Sequence, residues 1–521
     1  ESDCDAFDTG HSSTSISAGL GYVAARDIQK QDYHVVSVIG DGSLTGGMAY
    51  EALNNAAHVK SNFIIVLNDN NMSISPNVGG VSNYLSGLRT ANAYTELKRG
   101  VEDTLKKIPV KGEKLVSQIK KTKSGLKQFL VPGMFFEDMG ITYLGPVDGH
   151  DVRKLYKVFS EAKRLNHAVL VHVLTKKGKG YLPAEENPSR FHGTPPFVIE
   201  TGEAKQTSEK DSYTDVFSKV ITDVGKKDEK VVTITAAMAD GTGLNRFAKH
   251  FPDRFFDVGI AEEHALTFAA GLAAGGMKPV VALYSSFLQR AYDQAIHDVC
   301  LQNLPVVLAV DRAGLVGSDG ETHQGLFDLS FLTTIPNMTI MSPKNRWEMA
   351  DMVRYAIDFQ YPIALRYPRG EAYEGFKEFR TPIEYGKSEM LYQESEIAIV
   401  FVGHMAKLAK DVREELKNRG YSCTLVNARF VKPLDKEMLV QLAANHRIFV
   451  TIEENVLSGG FGQQVLDCVE RERLDVYVHS FGIPDDYVEH GNVDVLRKEV
   501  GLEKTNIVEK IITDYNIARN E

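Results

Sequence analysis

The stretch VVSVIGDGSLTGG, residues 35–47, joins a short apolar run to a glycine-rich turn. The run HVVSVIG (34–40) predicts a strand, LTGGMAYEALNNAAHV (44–59) predicts a helix, and NFIIVLN (62–68) predicts the next strand. Together they form a βαβ unit with the turn at the start of its helix, where free backbone N–H groups favour an anion. The carboxylate of Asp41 at the centre of this turn is therefore unexpected.

Familiar phosphate-binding loops do not match this turn. A Walker loop ends in GK followed by Ser or Thr, whereas Gly47 is followed by Met48, and a dinucleotide-binding fingerprint has glycine where Thr45 stands. In a site of low dielectric, Asp41 would repel a phosphate unless a divalent cation lay between them. Magnesium prefers oxygen ligands and is often held by one or two protein groups together with phosphates.

Asn70 offers a second oxygen after the neighbouring strand. It lies in LNDNNMS (67–73), 29 residues beyond Asp41. Asp and Asn are also ordinary turn formers, and either residue alone would favour that interpretation. Because the two residues follow adjacent strands of one unit, the pair favours a magnesium site.

Length and composition indicate a globular protein of several domains. The chain has 521 residues, which at roughly 100–200 residues per domain suggests about three domains. Its formal net charge of −10 gives no reason to expect nucleic acid, and its apolar runs are far shorter than the roughly 20 residues of a membrane helix. The four cysteines are far apart, which argues against a zinc site or a disulfide framework and favours a reducing cytoplasm.

Strand-like runs alternate with amphipathic stretches along the chain, which is typical of parallel α/β domains. Polar segments at about 200–212 and 371–387 have the composition of linkers and divide the chain into three blocks. Residues 98–127 hold ten basic and three acidic residues, and a solvated helical insertion explains them better than a nucleic-acid patch, because aromatic residues are absent. The other predicted strands are AVLVHVL (168–174), VVTITAAM (231–238), KPVVALY (278–284), LPVVLAV (304–310), EIAIVFVG (396–403) and RIFVTIEE (447–454).

A GDG turn followed, after a helix and a strand, by paired asparagines is the thiamine diphosphate signature of the transketolase superfamily. Over essentially its whole length, the sequence resembles one family in it, the 1-deoxy-D-xylulose-5-phosphate synthases. The motifs that carry the resemblance are GHSSTSIS (10–17), GDGSLTGGMAYEALNNA (40–56), NDNNMSIS (68–75), DGHD (148–151), KKGKGY (176–181), FFDVGIAEEHA (255–265), YSSFLQRAYDQ (284–294), DRAGLVGSDGETHQG (311–325) and LRYPRG (365–370).

The resemblance implies three consecutive α/β domains of transketolase type with mainly parallel sheets. They are a diphosphate-binding domain at 1–199, a pyrimidine-binding domain at 200–372 and a C-terminal domain at 385–521. The family has a longer segment before GHSSTSIS, and the chain begins without Met, so we expect the first domain to be incomplete at its N-terminus.

Thiamine diphosphate and Mg²⁺ are the implied cofactors. The implied metal ligands are Asp41, Asn70 and the backbone carbonyl of Met72. Lys177 is implied at the phosphates, with Lys176 and Lys179 as alternatives. The other implied residues at this end of the cofactor are Gly10, Ser12, Gly42 and Ser43, together with His11 as an active-site histidine.

Glu262 is the implied acid that activates the cofactor. It would hydrogen-bond the aminopyrimidine ring nitrogen and favour the imino form, and Phe287 would pack on that ring. A carboxyl group in an apolar pocket has its neutral form favoured, which suits this role. A carboxylate at a helix N-terminus or a core phenylalanine would look the same in sequence.

The implied reaction joins pyruvate, with loss of CO2, to the aldehyde of D-glyceraldehyde 3-phosphate. Arginine forks suit the phosphate of this acceptor. Asp319 and His323 match polar residues over the cofactor, and His323 could transfer protons near neutral pH. The residues implied for the acceptor are Tyr284, Arg290, Arg312 and Arg369.

The third block contains no catalytic constellation that the sequence reveals. Gly459, Gly460 and Gly462 predict a turn before a helix rather than a phosphate site. The family suggests a homodimer in the bacterial cytoplasm. The alternatives are another transketolase-like enzyme, the E1 component of a 2-oxoacid dehydrogenase, or an inactive fragment, and the motifs DRAGLVGSDGETHQG and YPRG favour the synthase over both enzymes.

Overall fold

The computed structural model describes residues 4–72, 77–90, 134–205 and 210–520. The chain separates into two units, Glu1–Gln206 with Gly259–Ala261, and Thr207–Val258 with Glu262–Glu521. The basic segment at 98–127 lies outside the described residues. In the part that the structure describes, no helix has the length and apolar character needed to cross a lipid bilayer.

A parallel sheet forms the centre of the first unit. Its described strands are β1 (Val36–Gly40), β2 (Phe63–Asp69), β3 (Thr142–Asp148) and β4 (Ala168–Leu174), in the order β1-β2-β4-β3. Gly40 pairs with Asn68, and Asp69 pairs with Leu174. Because these strands are parallel, the loops that follow β1, β2 and β4 lie side by side at one edge of the sheet.

Helices cover this sheet. The helix α1 (Ser15–Gln29) lies against the sheet because Gly19 has no side chain, and a Cβ there would lie 2.1 Å from Ser37 Oγ. The carboxylate of Asp151 accepts the N–H groups of Arg153 and Lys154 and so caps the helix α5 (Val152–Ala162). The described helices of this unit are α1 (Ser15–Gln29), α2 (Gly47–Ala56), α3 (Gly79–Thr90), α4 (Met134–Asp138), α5 (Val152–Ala162) and α6 (Leu182–Glu186), with a 3₁₀ turn at Ser43–Thr45.

The second unit contains two sheets among its described residues. Their strands are β5 (Val231–Thr235), β6 (Phe255–Asp257), β7 (Lys278–Tyr284), β8 (Val307–Asp311), β9 (Thr339–Met341), β10 (Ile363–Arg366), β11 (Glu389–Tyr392), β12 (Glu396–Phe401), β13 (Cys423–Asn427), β14 (Phe430–Lys432), β15 (His446–Val456) and β16 (Tyr477–Ile483). The sheet orders are β14-β9-β10-β8-β7-β5-β6 and β11-β13-β12-β15-β16. Neighbours are parallel except at β14–β9 and β11–β13. The third block thus adds one strand, β14, to the sheet of the second block.

The first helix of the second unit, α7 (Tyr213–Lys227), begins with a capping box formed by Ser212 and Asp215. Short 3₁₀ segments lie at Pro252–Arg254, Gln289–Ala291 and Gly403–Met405, and a π-helix lies at Ala295–Cys300. The described helices are α7 (Tyr213–Lys227), α8 (Asn245–His250), α9 (Glu262–Ala274), α10 (Ser285–Leu288), α11 (Tyr292–Gln294), α12 (Asp328–Thr333), α13 (Arg346–Asp358), α14 (Ala406–Asn418), α15 (Lys436–Ala443), α16 (Phe461–Glu472), α17 (Val493–Glu499) and α18 (Lys504–Asn520).

The predicted architecture of mainly parallel α/β sheets is confirmed. Strands β4 and β7 have the predicted bounds. Strand β8 begins at Val307 rather than at residue 304, because Pro305 has no N–H to donate to a neighbouring strand. The helix predicted after the glycine turn is present as α16, which begins at Phe461. The placement of Gly462 in the turn was wrong: it lies inside α16, where a Cβ would come within 2.3 Å of Ser480 Oγ in β16, so a glycine is needed for close packing.

Candidate active site

Asp41 follows β1 and is buried, with 1% of its surface exposed. Its N–H donates to the carbonyl of Asn68 at 3.2 Å, and its Oδ2 accepts from Asn77 Nδ2 at 2.8 Å. Gly42 and Ser43 follow it into the 3₁₀ turn before α2. Buried carboxylates are normally paired or bound to a cation, so this position suits a divalent metal ion.

The GHSSTSIS segment contacts this turn. Ser13 Oγ donates to the carbonyl of Ser43 at 2.6 Å. Gly10, His11 and Ser12 directly precede Ser13 and are half-buried. The structure therefore brings these three predicted residues to the loop that carries Asp41.

Asn70 and Met72 lie in the turn after β2. Asn70 Oδ1 accepts the N–H of Met72 at 3.1 Å, and Asp69 Oδ1 accepts the N–H of Asn71 at 3.2 Å. Since β1 and β2 are adjacent and parallel, this turn and Asp41 lie at the same edge of the sheet. The described residues contain no group of three His, Cys, Asp or Glu side chains suited to a metal ion, so a cation here would also need asparagine and backbone oxygens.

A chain of polar side chains that the sequence motifs did not predict lies behind this turn. His172 Nε2 is 2.8 Å from Asp69 Oδ2, and His172 Nδ1 is 2.7 Å from the hydroxyl of Tyr143. Asp69 and His172 are both buried, and burial raises the pKa of Tyr143 well above its usual range. The sequence does contain one indication of this polar chain, namely a histidine inside the apolar strand AVLVHVL, because a buried imidazole needs polar partners.

Lys177 follows β4 at the same edge of the sheet. Burial lowers the pKa of its ammonium group, while the negative charge of Asp41 acts in the opposite direction. Its Nζ is 2.8 Å from Nδ1 of His192, a residue that no sequence motif singled out. Lys176 contacts Glu185 and is exposed.

Glu262 is the first residue of α9 and is 3% exposed. Its Oε2 is buried and has no hydrogen-bond partner among the described residues. Burial raises the pKa of this carboxyl to about 7, although the positive charge of Arg290 opposes the shift. A buried carboxyl with a pKa of about 7, and with one oxygen that accepts no hydrogen bond from the described residues, fits a heterocyclic ring that shares a proton with it.

Aromatic rings gather after β7. The rings of Tyr284 and Phe287 stack with centroids 5.7 Å apart, and His323 meets Phe287 edge-on at 5.4 Å. The guanidinium of Arg312 lies 3.8 Å above the Tyr284 ring. Burial raises the pKa of Tyr284. The structure thus brings four of the predicted residues of this block together.

Asp319 and Arg369 form an ion pair beside this group, with Nη1 and Oδ2 3.0 Å apart. Burial lowers the pKa of His323, and the positive charge of Arg312 adds to this effect while Asp319 opposes it. A neutral imidazole near pH 7 can accept a proton.

Asp311, at the end of β8, supports Arg312 and was not predicted. It is fully buried and accepts the N–H of Arg312 at 2.7 Å and the hydroxyl of Thr214 at 2.7 Å. Arg312 also donates to the carbonyl of Gly241 at 2.8 Å. The sequence indicates a role for Asp311 only through its position at the carboxyl end of a fully buried strand. In open parallel sheets, ligands bind beside the carboxyl ends of the strands.

Three family models match the chain in order. They are 1-deoxy-D-xylulose-5-phosphate synthase over residues 1–175, the transketolase pyrimidine binding domain over 209–374 and the transketolase C-terminal domain over 386–507. Among curated proteins, the chain is 55% identical over 512 residues to the 1-deoxy-D-xylulose-5-phosphate synthase of Lachnoclostridium phytofermentans, covering 98% of this chain and 82% of the relative. It is 51% identical over 519 residues to that of Caldanaerobacter subterraneus, covering 100% and 83%.

Solved structures show the same fold. A split-gene transketolase, described as an inactive β4 tetramer, aligns with a TM-score of 0.53 at 27% identity and covers 59% of this chain and 99% of its own. The transketolase of Campylobacter jejuni aligns with a TM-score of 0.52 at 16% identity and covers 96% and 81%.

The matched family models define a thiamine diphosphate-dependent enzyme of transketolase type, and the mainly parallel sheets agree with that fold. Its first 175 residues match a synthase model rather than a transketolase one, and the curated relatives are synthases. The chain belongs to the 1-deoxy-D-xylulose-5-phosphate synthase family.

Proposed function

We propose that the chain condenses pyruvate with D-glyceraldehyde 3-phosphate, with loss of CO2, to form 1-deoxy-D-xylulose 5-phosphate in a thiamine diphosphate-dependent reaction. This reaction is the first step of the non-mevalonate route to isoprenoids. Identity of 55% over 98% of the chain with a curated synthase carries the proposal. The buried acid Glu262 supports it from the structure.

The loops after β1, β2 and β4 would hold the diphosphate and Mg²⁺. Asp41, Asn70 and the carbonyl of Met72 are the proposed metal ligands, and the burial of Asp41 supports this assignment. Lys177 is the proposed phosphate contact, because it follows β4 at the sheet edge that also carries Asp41 and is half-buried there. The remaining proposed contacts are Gly10, His11, Ser12, Gly42 and Ser43.

When bound, thiamine diphosphate supplies an electron sink for the loss of CO2 from a 2-oxo acid. Glu262 would share a proton with the aminopyrimidine ring of the bound cofactor, because a carboxyl with a pKa of about 7 can hold or release a proton near neutral pH. Phe287 would pack on that ring, and its contacts with Tyr284 and His323 orient the Phe287 side chain.

The arginines of the second block would bind the acceptor. Arg290, Arg312 and Arg369 offer planar forks that suit phosphate oxygens. His323 accepts or donates the proton of the acceptor oxygen, and Asp319 orients Arg369 through their ion pair.

We also propose the domain bounds, the oligomeric state and the location of the protein. The three domains occupy 1–199, 200–372 and 385–521, and the active protein is a homodimer in the bacterial cytoplasm. The synthases to which the chain is similar are bacterial, which supports the location.

Turnover by the 521-residue chain tests this function directly. The chain is incubated with thiamine diphosphate, Mg²⁺, pyruvate and D-glyceraldehyde 3-phosphate, and 1-deoxy-D-xylulose 5-phosphate is detected by mass spectrometry. Glu262→Gln should lower the rate at least about 100-fold, since it removes the shared proton, whereas its neighbour variant Glu263→Gln should retain activity. Acetyl transfer to a lipoyl acceptor, or ketol transfer without pyruvate, would contradict the proposal and favour the E1 or the transketolase alternative.

A further inference from the structure

The substrate loop, residues 312–325, carries Asp319 and His323. Gly314 and Gly325 exchange backbone hydrogen bonds of 2.7 and 2.8 Å and so close the base of the loop. The conformation between these two glycines therefore decides where the two polar side chains lie.

Residues of the third block hold this loop. Glu454, in β15, accepts the N–H of Leu315 on its Oε2 at 3.0 Å. Gly314 has a φ of 82°, and a Cβ there would lie 2.1 Å from the same oxygen. The N–H of Gly491 donates to the carbonyl of Gly317 at 3.3 Å. Glu454 is thus in direct contact with the backbone of the substrate loop.

Two further side chains, His404 and Arg497, contact the Glu454 carboxylate. Nε2 of His404 lies 2.7 Å from Oε2, and Nε of Arg497 donates to Oε1 at 2.7 Å. Burial alone would raise the pKa of this carboxyl, but Arg497 and His404 hold it well below its usual range. A fully buried carboxylate whose donors occupy defined positions is a rigid anchor.

We propose that Glu454 is a positioning residue for the acceptor site, because its carboxylate holds the N–H of Leu315 and thereby sets the substrate loop that presents Asp319 and His323. This inference rests on the proposed function, since the acceptor site gives the loop its role. The third block, in which the sequence reveals no catalytic constellation, then takes part in binding the substrate.

Glu453 provides a matched control. It is the preceding residue of β15 and is also fully buried, but successive side chains of a strand point to opposite faces. Its carboxylate accepts the N–H groups of Phe461 and Gly462 at 2.8 Å each, at the start of α16. A Glu453→Gln variant therefore disturbs a buried carboxylate of the same strand without touching the substrate loop.

The first measurement compares the kinetics of Glu454→Gln and Glu453→Gln. A glutamine has one acceptor oxygen and cannot serve Leu315, His404 and Arg497 at once. We expect Glu454→Gln to raise KM for D-glyceraldehyde 3-phosphate about tenfold and to change KM for pyruvate less than about twofold. Glu453→Gln should leave the ratio of the two KM values as in the wild type. Equal changes in both KM values for Glu454→Gln would overturn the proposal.

The second measurement follows amide hydrogen exchange of the apo chain and needs no turnover. Glu454→Gln should accelerate exchange at Leu315 and along residues 315–323 by about tenfold, while Glu453→Gln should accelerate it only near α16. If the wild type forms no product, the kinetic comparison fails together with the proposed function, and the exchange measurement alone decides the positioning role. Unchanged exchange in the loop, or equal acceleration in both variants, would refute it.

A milder variant keeps the test valid if Glu454→Gln does not fold. Arg497→Lys retains a positive charge on α17 but changes the geometry of one donor to Glu454. We expect a smaller rise in KM for the acceptor with the same pattern of accelerated exchange, and normal exchange in the loop would count against the proposal.

Discussion

The buried carboxyl of Glu262 suits proton transfer but lowers the stability of the folded chain at neutral and higher pH. Its carboxyl is buried, and burial raises its pKa from an ordinary 4.5 to about 7. At a pH between these two pKa values, the Glu262 carboxyl is mostly protonated in the folded chain and mostly ionised in the unfolded chain. The free energy of unfolding then falls as the pH rises through this window, by at most about 3 kcal/mol.

Glu262→Gln should abolish this dependence, because an amide does not ionise. Above about pH 7 the apo variant should be more stable than the apo wild type, by as much as about 3 kcal/mol, although it is catalytically impaired. Urea unfolding of both chains between about pH 5 and about pH 8 checks this, with Glu263→Gln as the control. Parallel stability curves for wild type and Glu262→Gln would contradict the assignment.

Lys177 is the residue for which sequence left three candidates. Its half-buried position and the influence of Asp41 distinguish it from Lys176 and Lys179, which are both exposed, and Lys176 contacts Glu185. We expect Lys177→Met to weaken thiamine diphosphate binding about tenfold in calorimetric titrations and Lys176→Met to weaken it less than about twofold. The reverse order would assign the phosphate contact to Lys176.

At the scale of elements, the candidate site residues lie in loops that follow the ends of strands and not within the strands. The loops after β1 and β2 approach each other because the strands are parallel and in register, with Gly40 opposite Asn68. The chain of Tyr143, His172 and Asp69 spans β3, β4 and β2 and ends on the N–H of Asn71. We infer that this chain stiffens the turn that contains Asn70.

Tyr143→Phe tests the contribution of this polar chain. The change removes the hydroxyl that lies 2.7 Å from His172 Nδ1 and leaves a ring of the same shape. We expect the free energy of unfolding of the first unit to fall by about 1–3 kcal/mol, since a buried imidazole nitrogen loses its partner. Tyr156→Phe, at a side chain that is 75% exposed, should have no measurable effect. Equal urea midpoints for Tyr143→Phe and wild type would show that water replaces the hydroxyl without loss.

At the scale of the whole molecule, a buried cluster of charges joins the second and third blocks. Lys344 lies 3.0 Å from Glu348 and 2.5 Å from Glu389, and Arg429 lies 2.8 and 2.9 Å from the same two carboxylates. All four side chains are buried. Burial would raise the pKa of Glu389, but Lys344 and Arg429 lower it below its usual value. The two positive and two negative groups balance one another.

Lys344→Met should destabilise the second unit strongly, because it leaves an uncompensated negative charge inside the protein. The expected loss is about 3–5 kcal/mol in urea unfolding. Lys410→Met breaks a partly exposed pair with Glu414 and should cost less than about 1 kcal/mol. A loss for Lys344→Met as small as that of the control would mean that the cluster contributes little.

The sequence by itself determined the fold class and the positions at which chemistry was to be expected. Alternating apolar runs and amphipathic stretches depend only on local periodicity, and the GDG turn and Asn70 follow strands that are close in the chain, so a βαβ unit could be predicted from one short segment. Motifs carry residue identity, which is why the amino-acid sequence suffices to name Asp41, Glu262 and His323 as candidates. The family membership rests on the same information.

Only the tertiary structure decided which distant residues support these candidates. Asp69 lies 103 positions from its partner His172, and Leu315 lies 139 positions from Glu454. Local sequence patterns do not reveal such pairs, because the packing of sheets and loops brings the two residues together. In the sequence, each partner alone looks like an ordinary core or surface residue. For the same physical reason, the raised pKa of Glu262 and the anchoring of the substrate loop by the third block depend on burial and contact, which follow from the fold as a whole.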